Sequence, residues 1–280
     1  VLLLFFSNNP NDRHLMVAQT FPIVIILVLI WFTIAYFAHN SIIRLATGAK
    51  RLERRDNKRV YNLVENLCIS QGIPMPKVQI IEDQALNAYA SGINEKTYTV
   101  ALSRGLIEQL DNSELGAVIA HELAHIRNRD TRLLVITIIF VGIFAFVSEI
   151  ALRSFIYGGH RTRSRNNNGG GGIALIVVVL VTGIAYFISR LLKFGISRKR
   201  EYMADAAAAE MTRNPGALAS ALRKISENPY VRGIRNDDVA QLFIDHPTPK
   251  KKKKKKSWSF QRLFATHPPI EERIRILENF

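Results

Sequence analysis

His121-Glu122-Leu123-Ala124-His125 sets two imidazoles four residues apart with a carboxylate between them. On a helix, side chains at i and i+4 share one face about 5–6 Å apart at Cβ. Their ring nitrogens can therefore converge on one ion at about 2.0–2.1 Å. Glu122 projects about 100° away from His121, which suits a base beside an attacking water better than a third ligand. Three fixed residues also occur on ordinary amphipathic helices, so the pattern needs a further donor. A catalytic zinc takes a third protein ligand and leaves one position open. Glu201, in Ser197-Arg-Lys-Arg-Glu-Tyr-Met-Ala-Asp205, is the candidate. Asp205 follows it by four residues and shares its face. A carboxylate there can hold the far nitrogen of a ligating histidine, fixing its tautomer and raising its basicity. The competing reading of such a Glu-x-x-x-Asp pair is a solvated charged face.

These groups need elements to carry them. Asp111 reads as a helix cap, with Glu114 in the capping-box position and Leu115, Val118, Ile119 and Ala120 as apolar turns leading into the histidines. Asn128 and Asp130 just past the motif either buttress the site or cap the helix end. Residues 49–71 read as a charged helix that becomes amphipathic through Val60, Leu63, Val64 and Leu67, with Gly72 as its stop. The single cysteine, Cys68, lies on that face and reads as a buried thiol; being alone, it excludes an intrachain disulfide and any paired-cysteine metal motif. Lys77–Ile81, Leu86–Ala90 and Thr97–Leu102 read as short strands. Asn214-Pro215 is a cap with a first-turn proline, opening a helix to about Glu227.

Three stretches are apolar enough to meet lipid: Met16–Ala38, Leu133–Leu152 and Gly170–Ser189. The alternative for each is a buried core helix, and the last two are short enough to insert only partly, as a hairpin. Val1–Phe6 is too short to cross and reads as the tail or remnant of an upstream span. Residues 161–172 are an Arg-, Asn- and Gly-rich loop. The chain thus divides into an N-terminal membrane segment (1–39), two halves of one catalytic domain (40–132 and 198–280) and a transmembrane hairpin between them (133–197). Basic residues crowd the membrane edges of the catalytic halves: Arg44, Lys50, Arg51, Arg54 and Arg55 on one side, Lys193, Arg198, Lys199 and Arg200 on the other. By the positive-inside rule these halves face the cytoplasm, although Arg153, Arg161, Arg163 and Arg165 weaken the asymmetry. The net charge of +15 owes about half to one run, Lys250–Lys256. That run reads as a solvated loop, or as a contact for an anionic leaflet. Trp258 and Phe260 follow it closely, but no base-stacking platform is evident and nucleic acid is not an expected partner.

Four segments in order resemble the HtpX-type family of membrane zinc proteases: Asn87-Ala88-Tyr89-Ala90-Ser91-Gly92, the HELAH motif at 121–125, the Arg-Glu-Tyr-Met-Ala-Asp at 200–205, and Thr266-His267-Pro268-Pro269-Ile270 running on to Arg273-Ile274. The resemblance spans about residue 16 to the end. It implies a mainly α, multi-pass membrane protein with a gluzincin-like α+β catalytic domain carrying a small β-sheet. It also implies one Zn2+ per chain on His121, His125 and Glu201, and a role in membrane-protein quality control and the stress response. By the same likeness, Asn87 and Ala88 lie on the edge strand that pairs with substrate backbone. His267 lies near the site and is a candidate transition-state stabiliser, with His246-Pro247 as its rival. The Lys250–Lys256 run falls outside the family pattern.

The reading is therefore a zinc metalloendopeptidase of the cell membrane, with Glu122 as catalytic base, Asp205 behind a ligand, and unfolded or membrane proteins as substrates. A CAAX-type prenyl-protein endopeptidase would use the same metal chemistry, but the chain is short for the helical chamber of that family. A zinc-braced, non-catalytic membrane adaptor would have no need of Glu122. An ion transporter would carry ionisable residues inside its spans, where only Glu149 qualifies.

Overall fold

A computed structural model describes residues 10–142, 183, 198–234, 237–245, 247 and 268–280. His246, the Lys250–Lys256 run, Trp258, Phe260, His267, the second half of the segment 133–152 and all of 170–189 but residue 183 lie outside the described residues. The chain forms two compact units, one of Val1–Phe37 with Thr137–Leu192, the other of Ala38–Ile136 with Lys193–Phe280.

The first unit carries most of a 38-residue helix, α1 (Pro10–Thr47). It is longer than the Met16–Ala38 stretch read from hydropathy, so Pro22 sits inside the helix rather than near its end. Within α1, Val28–Thr47 is long and apolar enough to cross a membrane, and only 11% of its most apolar window is buried. Leu29, Ile34 and Phe37 lie 57–79% exposed. In this unit Phe32 packs its ring 5.5 Å from that of Phe140.

The second unit holds the sheet and the motif helix. Its elements are β1 (Lys50–Arg51), α2 (Lys58–Gln71), β2 (Lys77–Ile81), β3 (Ala88–Ser91), β4 (Thr99–Ser103), α3 (Arg104–Gln109) and α4 (Asn112–Arg127). Then follow α5 (130–142, which runs on into the first unit), α6 (198–212), α7 (Pro215–Glu227), α8 (Asp237–Ala240) and α9 (Ile270–Glu278). Residues 49–71 are not one helix, as the charge pattern had implied. Lys50–Arg51 pairs antiparallel with β2, and Asn57, in extended backbone, caps α2 by accepting from the Val60 N–H at 3.0 Å. Helix propensity in the charged stretch yields there to sheet pairing and to a side-chain cap. Gly72 does end α2, in the left-handed conformation at φ 62°.

Strand order is β1-β2-β4-β3, with β2 and β4 parallel and the other pairs antiparallel. β3 is thus an edge strand of the sheet. Its register sets Ala88 opposite Leu102 and Ala90 opposite Val100. Gly92 ends it at φ 120°, where an added Cβ would lie 2.6 Å from the Thr97 carbonyl oxygen. A side chain there would open the turn that terminates the edge. Behind the sheet, Val60 and Val64 of α2, Leu115, Ile119 and Leu123 of α4, and Leu218, Leu222 and Ile225 of α7 share one dry core. Burial of each is worth about 1.5–3 kcal/mol, so α4 is held from several sides. Cys68 belongs to the same core, and burial raises its thiol pKa to about 11.

Candidate metal centre

α4 starts where the sequence requires. Asp111 accepts from the Glu114 N–H at 2.9 Å, and Glu114 returns the bond to the Asp111 N–H at 3.0 Å. The Glu114 carboxylate also receives Ser220 and Lys224 of α7, each at 2.6 Å. The helix is buried along almost its whole length, His121 and Glu122 included. Asn128 is its C-cap. Arg129 then takes a left-handed φ of 59°, which turns the chain so that α5 brings Asp130 back toward His125. Of the two readings open for that pair, Asn128 caps the helix and Asp130 touches the histidine.

The Nε2 atoms of His121 and His125 lie 3.2 Å apart. Glu201 of α6 places Oε2 3.7 Å from His121 Nε2 and Oε1 3.7 Å from His125 Nε2. Donors each about 2.0–2.1 Å from a tetrahedral centre stand roughly 3.4 Å from one another. The three residues form the group whose ligand atoms all fall within 4.8 Å, so the donor set fits one zinc-sized ion in number, type and spacing. Behind the imidazoles, His121 Nδ1 is 3.0 Å from Asp205 Oδ1, and His125 Nδ1 is 3.1 Å from Asp130 Oδ2. A carboxylate beside each Nδ1 favours the tautomer protonated there, which leaves Nε2 for a metal once the ring is neutral. Arg200 in turn pairs with Asp130.

The charges point the same way. Burial, which opposes the charged form, is outweighed at His125 by Asp130, Glu201 and Glu122, and the imidazole pKa rises to about 9. At His121 burial prevails and lowers the pKa despite Asp205. Glu122 is 1% exposed, and burial lifts its carboxyl to about 7 against the pull of His125 and Arg273 and a bond from the Ala90 N–H. Asp205, buried too, is held down at about 2 by Arg273 and His121. Four carboxylates (Glu122, Asp130, Glu201 and Asp205) face the guanidinium groups of Arg200 and Arg273, an excess of negative charge that favours a bound cation. The His125 side chain, 15% exposed, is the most open of the three donors.

The edge strand runs past this centre. Asn87 is fully buried; its amide donates to the carbonyls of Pro229 and Asp245 at 2.8 and 2.9 Å. The Ala88 carbonyl accepts from the Ile244 N–H at 2.9 Å, and Tyr89 bridges antiparallel to Phe243. The outer edge at Ala88 is therefore paired within the chain. At Ala90 the N–H turns to Glu122.

Arg273, to which the sequence reading gave no task, enters the centre from α9 and is 1% exposed. A signal was present in the sequence. Ile270, Ile274 and Leu277 recur at helical spacing, and position 273 falls on that apolar stripe, where a charged residue is buried only with partners.

Residues 54–280 match the family described as peptidase family M48. The chain is 60% identical over 260 residues to the protease HtpX homolog of Bacteroides fragilis, covering 92% of this chain and 80% of that protein. It is 38% identical over 258 residues to the protease HtpX homolog of Tropheryma whipplei, covering 92% and 84%. Among solved structures, the crystal structure of S. mikatae Ste24p is similar at a TM-score of 0.54 and 19% identity. That likeness covers 92% of this chain but 58% of the other, and concerns the fold alone.

Proposed function

This chain belongs to peptidase family M48 and is a metalloprotease, and from that premise we propose that it is a membrane-embedded, zinc-dependent endopeptidase. His121, His125 and Glu201 hold the ion, with Asp205 behind His121 and Asp130 behind His125. The observation that carries this reading is the convergence of three donors from α4 and α6 at 3.2–3.7 Å around a buried Glu122. When bound, zinc polarises a carbonyl and lowers the pKa of water from 15.7 to about 7.

The protein's own groups do the rest. Glu122, with a pKa of about 7, can take a proton from the attacking water and return it to the leaving amine. An extended substrate segment adds to the outer edge of β3 through main-chain hydrogen bonds, which read backbone more than side chain. Because Ile244 already bonds the Ala88 carbonyl and the Ala90 N–H turns to Glu122, an incoming segment exchanges with these contacts as it pairs. Asn87 then shapes the end of the edge, and Ala88 bounds it. His267, six residues before Arg273 in the chain, takes the role that the family resemblance gives it, steadying charge on the scissile carbonyl oxygen. Backbone recognition suits damaged or misassembled membrane proteins, and the basic residues near the C-terminal end of α1 support a cytoplasmic catalytic unit.

Glu122→Gln tests the assignment. The variant should keep zinc, since Glu122 is not among the three donors, and lose about 10²–10⁴-fold in kcat on unfolded casein. Turnover equal to wild type removes Glu122 from the mechanism.

A further inference from the structure

All three nitrogens of the buried Arg273 guanidinium have polar partners. Its Nε and Nη2 donate to the two oxygens of Asp205 at 2.8 and 2.7 Å, a bidentate fork. Nη1 lies 3.2 Å from Glu201 Oε2 and donates to the Ile244 carbonyl, also at 3.2 Å. Nη2 sits 3.5 Å from His121 Nε2. One side chain from the end of the chain thus contacts the third donor, the carboxylate behind the first donor, and the segment paired to the edge strand. A guanidinium is suited to this because its donors lie in one rigid plane, whereas an ammonium of equal charge cannot span the same acceptors.

We propose that Arg273 is a positioning residue of the metal centre: its fork locks Asp205 against His121 and sets the Glu201 carboxylate at coordinating distance, while its bond to Ile244 fixes the wall beside Ala88. The inference rests on the zinc reading above. It also separates orientation from charge. A positive charge beside a cation site weakens cation binding by repulsion alone, so a role that was only electrostatic would make Arg273→Gln bind zinc more tightly. Orientation demands the opposite.

The test titrates zinc into metal-stripped full-length protein in detergent, in competition with a chromophoric chelator. Wild type, Arg273→Lys, Arg273→Gln, Asp205→Asn and the Arg273→Lys/Asp205→Asn pair are compared. Arg273→Lys keeps the charge and loses the fork, and should weaken zinc about 10–100-fold. Arg273→Gln should weaken it as well. At saturating zinc, both should lower kcat on an unfolded substrate and leave KM nearly unchanged. In the Asp205→Asn background the lysine substitution should cost distinctly less than in wild type, because the two residues act through one contact. Unfolding midpoints in chelator identify any variant that fails to fold, and the remaining one then carries the test. Wild-type affinity in Arg273→Lys, tighter binding in Arg273→Gln, or additive costs in the pair overturns the proposal while leaving the zinc reading intact. Failure of wild type itself to bind one zinc overturns both.

Discussion

Two imidazoles on one helical turn become a metal site only if their rings face the same way. Here a carboxylate stands behind each ring: Asp205 at 3.0 Å from His121 Nδ1 and Asp130 at 3.1 Å from His125 Nδ1. The third donor is the more vulnerable part, since α4 and α6 are separated by a long stretch of chain. Glu201→Ala should therefore reduce zinc from one per chain to well below stoichiometric on metal analysis after dialysis, with the protein still folded. A mutant that keeps one-to-one zinc would show that another group completes the set. The residues legible in the sequence were those governed by local spacing: His121, Glu122 and His125 within one turn, and the i+4 pair Glu201 and Asp205. Arg273 and Arg200 escaped because their partners, Asp205 and Asp130, are 68 and 70 residues away. No local period links such pairs. Asp130 stayed open between two readings for a related reason, since the left-handed turn at Arg129 that brings it back is not written in a hydrophobic pattern.

α4 is the element on which the centre depends, and its start is tied into the fold through Glu114. That carboxylate closes the capping box and also accepts from Ser220 and Lys224 of α7. Burial works against its charge, but those three partners outweigh it and hold the Glu114 pKa below the usual carboxylate value. A depressed folded-state pKa means stabilisation that is present above the unfolded-state value, about 4.3, and is lost as pH falls through the lower folded one. Glu114→Ala should cost about 2–3 kcal/mol at neutral pH, combining a lost cap with lost charged hydrogen bonds. It should also flatten the fall of the unfolding midpoint with acid in that window. A mutant whose midpoint matches wild type at pH 7 would show that α7 packing alone holds the helix. The capping box, the Gly72 stop and the Asn214-Pro215 start were readable because caps are local chemistry. The stretch 49–57 was not, because pairing of Lys50–Arg51 with β2 depends on a partner nearly thirty residues on.

The catalytic unit is made from both sides of one long insertion. Chain from 38–136 and chain from 193–280 bond to each other directly, at Asn87 with Asp245 and at Ala88 with Ile244. Two segments that share a sheet edge and a buried ion-pair network lie in the same aqueous phase. A chain leaving one face of a bilayer and returning to it crosses an even number of times, so the apolar sequence stretches 133–152 and 170–189 predict a pair of crossings. α1 fits a further one. Val28–Thr47 is long and apolar enough to cross, but its second half, from Ala38 on, belongs to the catalytic unit, so the lipid-facing part of α1 is its earlier portion. Its exposed Leu29, Ile34, Phe37 and Leu45 form an apolar surface that water penalises and lipid does not. Arg44, Lys50, Arg51, Arg54 and Arg55 cluster at its C-terminal end, so the positive-inside rule predicts a cytoplasmic catalytic unit. Reporter fusions in a bacterial inner membrane decide the matter. Green fluorescent protein after Phe280 should fluoresce and alkaline phosphatase there should be silent, whereas phosphatase inserted after Gly170 should be active. Active phosphatase at Phe280 would reverse the orientation, and silence at both sites would mean that 137–192 does not reach the far side.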